Sequence, residues 1–173
     1  MHETPDDLDR LQRLLDASDA AAGTHLRSII TAERRLSAAE VCARLSGKCL
    51  LALATVTADC RPIVGPVDGI FYRGSFHFGS SPDSLRLRHI AHRPQVSATH
   101  LPGEHLAVTV HGRAESVDVR SSPDAGFRAA LLEVYVPQYG PEWEDFLDSG
   151  PMYARIKASR MFTFHLDAEP PTG

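Results

Sequence analysis

Leucines at positions 8, 11, 14 and 15 recur at helical spacing, so the chain is expected to open with an amphipathic helix over residues 7–17 that closes at Ala20-Ala21-Ala22-Gly23. A second helix is expected around 25–35. Ser37-Ala38-Ala39-Glu40 is a capping box that starts a third, with Val41, Ala43 and Leu45 inside it and Gly47 past its end. From Cys49 the period changes. Leu50 to Val56 is apolar on both faces, as in a strand buried on both sides in a closed sheet. Ala58-Asp59-Cys60-Arg61 reads as a hairpin turn and Pro62 to Phe71 as the returning strand. Pro62 and Pro66 cannot donate to a ladder, which makes that strand an edge, or irregular, over part of its length. Arg73-Gly74-Ser75 turns into a third strand, Phe76 to Ser80. Ser81 then reads as an N-cap, with Pro82 in the first position of a basic helix that runs to Arg93.

Beyond Pro94, Gln95 to Leu101 forms a strand and Pro102-Gly103-Glu104 a turn. Leu106, Val108 and Val110 alternate with Ala107, Thr109 and His111 in a long strand to about Val119, whose phase slips near Ser116-Val117 as a bulge would make it. Ser121-Ser122-Pro123-Asp124 caps a helix through Val136, Pro141 to Leu147 gives a short helix, and Tyr153 to Leu166 is the last strand. Short hairpins dominate, so the pattern predicts a mainly β fold with flanking helices, its antiparallel sheet closed into a barrel. The organisation expected is a helical extension over 1–36, a barrel domain over 37–168 with a helical excursion at about 121–150, and a disordered tail at 169–173.

The 173 residues fit one domain with an ordinary soluble composition, 43% hydrophobic and 23% charged. No apolar run is long enough to cross a membrane, and the acidic N-terminus lacks the apolar segment of a secretory signal, so a cytoplasmic protein is expected. The net charge of −4 argues against nucleic acid. Three cysteines without a CxxC spacing read as free thiols rather than a disulfide framework.

The stretch Phe78-Gly79-Ser80-Ser81-Pro82-Asp83-Ser84-Leu85-Arg86-Leu87-Arg88 carries the main chemical signal. Helix N-termini hold anions through free N–H groups and the macrodipole, and serine hydroxyls and arginines add to this. The stretch reads either as a phosphate cradle or as a capped surface helix with solvated arginines. His89 falls on the face of Arg86 and Arg93, which suits an anion. Nine histidines raise the question of a metal, but no HExxH or comparable ligand spacing occurs. GxSxG, GxGxxG and GxxxxGK[ST] are all absent, against a serine hydrolase, a Rossmann dinucleotide site and a P-loop. Tyr153, Phe162 and Phe164 on the last strand, and Tyr135, Tyr139 and Trp143 in the excursion, fit either packing or the walls of a site.

An ordered set of segments then stands out: Leu53-Ala54-Thr55-Val56, Arg61 to Val67, Phe76 to Ser81, Ser84-Leu85-Arg86, Arg93 to Ser97, and Val110 to Glu115. Together they resemble the pyridoxamine 5′-phosphate oxidase-like flavin-binding split β-barrel family over roughly residues 38–167. The resemblance implies a six-stranded split barrel, paired as a homodimer, that binds FMN or the deazaflavin coenzyme F-420 at the subunit interface and acts as an oxidoreductase on a small molecule. It implies that Val64, Gly65, Pro66 and Val67 lie along the flavin ring and that Gly79, Ser80, Ser81, Ser84, Leu85 and Arg86 hold the phosphate. It also implies that a residue near Ala107 comes from the partner and that Phe164 meets the ring. No catalytic acid or base is implied, because the chemistry belongs to the cofactor. Leu85 stands where the family carries a second cation, Asp83 adds a negative charge, and Val64 stands where the oxidases carry arginine, so vitamin B6 oxidation is disfavoured. Arg61, Arg88 and Arg93 are the candidates for the longer acidic tail of the deazaflavin. A non-catalytic flavin or haem carrier is the remaining alternative, with His100, His105 and His111 suiting haem.

Overall fold

The computed structural model describes residues 2–166, so the tail at 169–173 lies outside the described residues. The strands β1 (Lys48–Val56), β2 (Pro62–Tyr72), β3 (Ser75–Ser80), β4 (Gln95–Gly103), β5 (Leu106–Val117) and β6 (Met152–His165) close into an antiparallel barrel ordered β1-β2-β3-β6-β5-β4. Helices α1 (Pro5–Ala20), α2 (Thr24–Ile29) and α3 (Ala38–Arg44) precede the barrel, α4 (Leu85–His92) joins β3 to β4, and α5 (Ala125–Tyr139) and α6 (Trp143–Asp148) join β5 to β6. The predicted element order is therefore the observed one.

Strand alternation builds the core. Leu51 and Leu53, Phe76 and Phe78, Val108 and Val110, and Ile156 and Met161 all point inward and are fully or almost fully buried. β1 corrects the expectation of burial on both faces: it alternates strictly, and Leu50 is 65% exposed. Its outer neighbours are small or apolar rather than polar, which is why the sequence read as two-sided. A second cluster forms where Phe127, Leu131 and Tyr135 of α5 and Leu147 of α6 pack with Ile70 and Tyr153.

Several boundaries move. The helix expected over 25–35 breaks after Ile29, where Ile30 leaves helical dihedrals and turns inward, and a 3-10 turn follows at Ala32–Arg34. The turn expected at 102–104 lies one residue later, because β4 continues through Pro102 with a register shift between His100 and Gly103. The bulge expected at Ser116-Val117 is found at His111/Gly112, with Ser159 of β6 as the extra residue. There, a Cβ on Gly112 would stand 2.2 Å from the Lys157 carbonyl oxygen, so only glycine allows the strands to approach. The phase slip at 116–117 has another cause: Val117 packs against the second cluster, outside the barrel. α5 runs past Val136 to Tyr139, with Pro137 accommodated in its last turns.

The N-terminal helices are fastened to the barrel. Leu11 and Leu15 of α1 join its core, the Met161 amide donates to Ser18 Oγ (2.9 Å), and the Leu36 amide donates to Thr163 Oγ1 (3.0 Å). Thr4 and Asp7 form the capping box of α1. The Asp7 carboxylate is itself buried; it pairs with Arg10 and accepts from Arg73 Nε (2.9 Å) in the β2–β3 turn, where Arg73 and Gly74 are both left-handed. Burial alone would raise its pKa, but the Thr4 amide and Arg73 outweigh that and hold it at about 2. A depressed carboxylate stabilises the fold above its unfolded pKa and loses that contribution as pH falls through the folded value. Asp7→Ala is expected to cost about 1–3 kcal/mol in urea unfolding at neutral pH. It should also flatten the loss of stability between about pH 4 and 2. An unchanged midpoint would remove Asp7 from this role.

Candidate functional site

β2 and β3 separate partway along their length, and the site lies in the split. Their pairing ends at Gly69 and Phe78; β3 then continues with β6 alone, through Gly79–Tyr153 and Ser80–Met152. Residues 62–68 of β2 therefore pair only with β1, which fulfils the expectation of an edge over part of the strand. Pro66 has no N–H, and its carbonyl turns to the open edge instead of to a ladder partner. The guanidinium of Arg86 takes that carbonyl (Nη2 to O, 2.8 Å) and also donates to Ser80 Oγ (Nη1, 3.2 Å). Ser80 Oγ donates in turn to Ser84 Oγ (3.0 Å). The structure thus brings Pro66, Ser80, Ser84 and Arg86 into contact, although 20 residues separate Pro66 from Arg86.

Two details of the sequence reading change. The N-cap of α4 is Ser84 and not Ser81: Ser84 Oγ accepts from the Leu87 amide (3.3 Å), while the Ser84 amide donates to the Ser81 carbonyl in a preceding turn that contains Pro82. His89 shares the helical face of Arg86 but does not take part in its contacts. It is buried, with Nδ1 2.9 Å from Thr55 Oγ1, and so joins α4 to β1.

Arg86 is the electrostatic centre of this arrangement. It is half-buried, its partners are neutral oxygens, and among the described residues no carboxylate lies within ion-pair distance of it. Burial lowers its pKa from the ordinary guanidinium value, though a guanidinium keeps its charge in any protein setting. A partly desolvated cation beside two hydroxyls and a helix N-cap has the chemistry to hold an anion. Leu85 points outward, 52% exposed, and adds nothing to it.

Other predicted residues are distributed as follows. Val64 is 65% exposed on the outer face of β2 and Pro66 is exposed beside it, whereas Val67 points into the barrel core and can offer only backbone. Gly65 lies under Arg86, with its missing Cβ 3.3 Å from Nη2. Ala107 and Phe164 are direct cross-strand partners, so they form one patch. That patch lies on β5 and β6, and the hydrogen bonds of Arg86 go to Ser80 and Pro66 instead. Arg34 lies 5.7 Å over the Phe164 ring.

A cleft of about 610 Å³ continues from the split. Its floor is Gly79, Ser80 and Tyr153, and its wall is the excursion that carries Tyr135, Tyr139 and Trp143. These aromatics pack together, and they also line the cleft. Tyr135 stacks on Trp143 (4.5 Å, 6°) and on Tyr139 (6.1 Å, 20°). Tyr135 and Tyr153 are buried, which pushes both phenols up and keeps them protonated. Two residues the sequence reading did not single out also line it. Asp68 accepts from the Tyr135 hydroxyl (2.8 Å), and Phe146 is 51% exposed. Asp68 was detectable as the lone acid within an otherwise apolar strand.

The histidines at 100, 105 and 111 do not converge. His100 Nδ1 meets the Leu50 carbonyl (2.9 Å), His111 Nδ1 meets Ser97 Oγ (2.8 Å), and His105 lies against Gly103. Among the described residues no three His, Cys, Asp or Glu side chains gather as a metal site. Cys42 and Cys49 are buried, which raises their thiols to about 12 and about 11, and Cys60 is exposed. No described helix is long and apolar enough to cross a membrane.

No protein-family model matches the sequence, and no curated protein matches it. Solved structures do match in fold. A conserved hypothetical protein from Mycobacterium tuberculosis aligns with a TM-score of 0.63 at 22% identity, over 83% of this chain and 98% of its own. HutZ, a haem storage protein from Vibrio cholerae, aligns at 0.56 and 23%, over 66% and 85%. An FAD-binding protein from Mesorhizobium loti aligns at 0.54 and 20%, over 78% and 98%. These likenesses establish the split-barrel fold of this chain.

Gly79 tests the floor of the cleft. A Cβ there would stand 2.7 Å from Tyr153 Cε1, and that ring is held by Phe127. Gly79→Ala is therefore expected to lower stability by about 1–3 kcal/mol in chemical denaturation. A change below about 0.5 kcal/mol would show that the ring gives way freely.

Proposed function

We propose that this chain is a flavoprotein that binds FMN at the β2–β3 split, works as a homodimer and acts as an oxidoreductase on a small molecule. The observation that carries the reading is Arg86: a half-buried cation without a counter-charge, fixed by Pro66 and Ser80 at a serine-capped helix start. A phosphomonoester supplies the missing charge and acceptors for Ser80, Ser84 and Arg86. The residues present fit the group. The outer row of β2, with Val64 and Pro66 exposed beside Gly65, offers a smooth edge for a flat ring. When bound, the flavin supplies hydride and electron transfer. The chain's task is to hold the phosphate, to orient the ring along β2 and to exclude water.

The bare outer face of the barrel supports the homodimer. Leu50 and Leu101 are 65% and 63% exposed, and Val64, also 65% exposed, lies on the same outer face opposite Ala54, with Asp68 opposite Leu50. Ala107 and Phe164 lie on the far side of that face, so a two-fold partner would carry its own pair toward the β2 edge of its mate. Flavin and haem split-barrel relatives of known structure fit this reading at the level of fold. FMN is favoured over the deazaflavin with its longer acidic tail, because Arg61, one of the three candidate cations, is already paired with Asp59 (2.6 Å).

Purified protein, or protein supplied with FMN, is expected to show flavin bands, of which the visible one lies near about 450 nm. Arg86→Ala should weaken FMN by about 1.5–3 kcal/mol, roughly ten- to 150-fold, in a fluorescence titration. A Soret band without flavin bands, or wild-type affinity in the variant, would overturn this assignment.

A further inference from the structure

The cleft beside the split has an unusual composition. Among the residues that line it, Asp68 is the only charged side chain, and four aromatic rings (Tyr135, Tyr139, Trp143 and Phe146) form one wall. Asp68 Oδ2 accepts from Tyr135, and Oδ1 has no protein hydrogen bond among the described residues. No Lys or Arg lies within ion-pair distance of the carboxylate among those residues. Asp68 is an exposed residue, so its charge is presented to the cleft and to solvent with no protein counter-charge among the described residues, beside rings whose π-faces favour cations. At the rim, Lys48 donates to the Tyr139 hydroxyl (3.2 Å), with Nζ 5.5 Å from the ring centroid on its hydroxyl side.

From this geometry we infer that the cleft is a binding site for a planar heteroaromatic cation, stacked against the Trp143–Phe146 wall with its positive charge toward Asp68. Tyr135, Trp143 and Tyr139 are stacked within 20° of parallel, so the wall is itself layered and extends naturally by one more flat ring. Phe146, tilted 47° to Trp143 and half-exposed, closes one end. The charge argument comes from Asp68. A carboxylate-bearing ligand of the same shape would meet like charge in an apolar cleft and be rejected. The inference deepens the flavin reading and rests on it for one point: Gly79 and Ser80 belong to both the floor of the cleft and the phosphate cradle, so the ligand would lie next to the flavin as its reaction partner.

Trp143 is the only tryptophan of the chain, so its emission reports on this wall without any label. The test titrates the protein as purified, and again after FMN loading, with the 1-methylnicotinamide cation and with the similarly sized nicotinate anion. The cation is expected to quench Trp143 saturably and to bind about tenfold or more tightly than the anion. Asp68→Asn keeps an acceptor for the Tyr135 hydroxyl but removes the charge, and should abolish the discrimination. Phe146→Ala, at a half-exposed position where folding is not at stake, should weaken the cation several-fold. Equal binding of the two probes, no saturable quenching, or retained discrimination in Asp68→Asn would each overturn the inference. Protein that selects the cation but takes up no flavin would contradict the flavin reading and leave the cleft assignment standing. Flavin-loaded protein that ignores the cation would do the reverse.

Discussion

Closing six antiparallel strands into a ring commits each of them to alternate inward and outward, and the rest of this structure follows from how the outward positions are treated. The inward positions hold the bulky apolar residues that fill the barrel. Outward positions near β6 and the Gly69–Tyr72 end of β2 are covered by the chain's own helices, through the Leu11 and Leu15 contacts of α1 and the second cluster under α5 and α6. The outward Leu50, Val64 and Leu101 stay in solvent, with Asp68 exposed opposite Leu50. Apolar side chains exposed on a strand face are a liability unless something covers them. The proposed homodimer turns that liability into the second half of a binding site.

The same ring has to open somewhere to admit a ligand, and it opens where β3 leaves β2 for β6. Gly69 is the pivot. A Cβ there would lie 2.1 Å from the His77 carbonyl oxygen, so the last shared pair of the two strands is as close as backbone allows. Beyond it, Pro66 contributes an unpaired carbonyl and no amide, and Arg86 crosses the gap to use that carbonyl. The proline that cannot donate to a ladder is therefore the residue whose carbonyl holds Arg86. Barrel closure, strand separation and the cradle are one piece of geometry.

Period and punctuation made most of the fold legible in advance. The capping box at Ser37, the hairpin turns, the prolines of β2 and the long alternation of β5 all express local rules, and each element appeared in the expected order. The errors have common physical sources. Ser81-Pro82 obeys a helix-start rule, yet Ser84 obeys it as well and has the better-placed hydroxyl, so the helix begins three residues later. His89 shares a helical face with Arg86, but tertiary packing against Thr55 decides its role. The bulge lies opposite Gly112, where close approach of two strands required a glycine that periodicity does not register. Of the site, Ser80, Ser84 and Arg86 were legible because they are local. The Pro66 carbonyl, the Asp68 carboxylate and the aromatic wall come together only through long-range pairing, which a linear pattern does not express.

In the proposed dimer an FMN site is shared between two copies, with Arg86 from one and the Ala107–Phe164 patch from the other. Complementation between two defective variants addresses it most directly. Arg86→Ala and Ala107→Trp are each expected to bind FMN about tenfold or more weakly as homodimers, too weakly to fill at an FMN concentration that saturates the wild type. When the two are co-expressed, half of the dimers are mixed, and each mixed dimer holds one intact site and one doubly altered site. The account predicts recovery of about a quarter of the wild-type FMN capacity in the co-expressed protein. Wild-type binding by Ala107→Trp alone, or no recovery on co-expression, would contradict it.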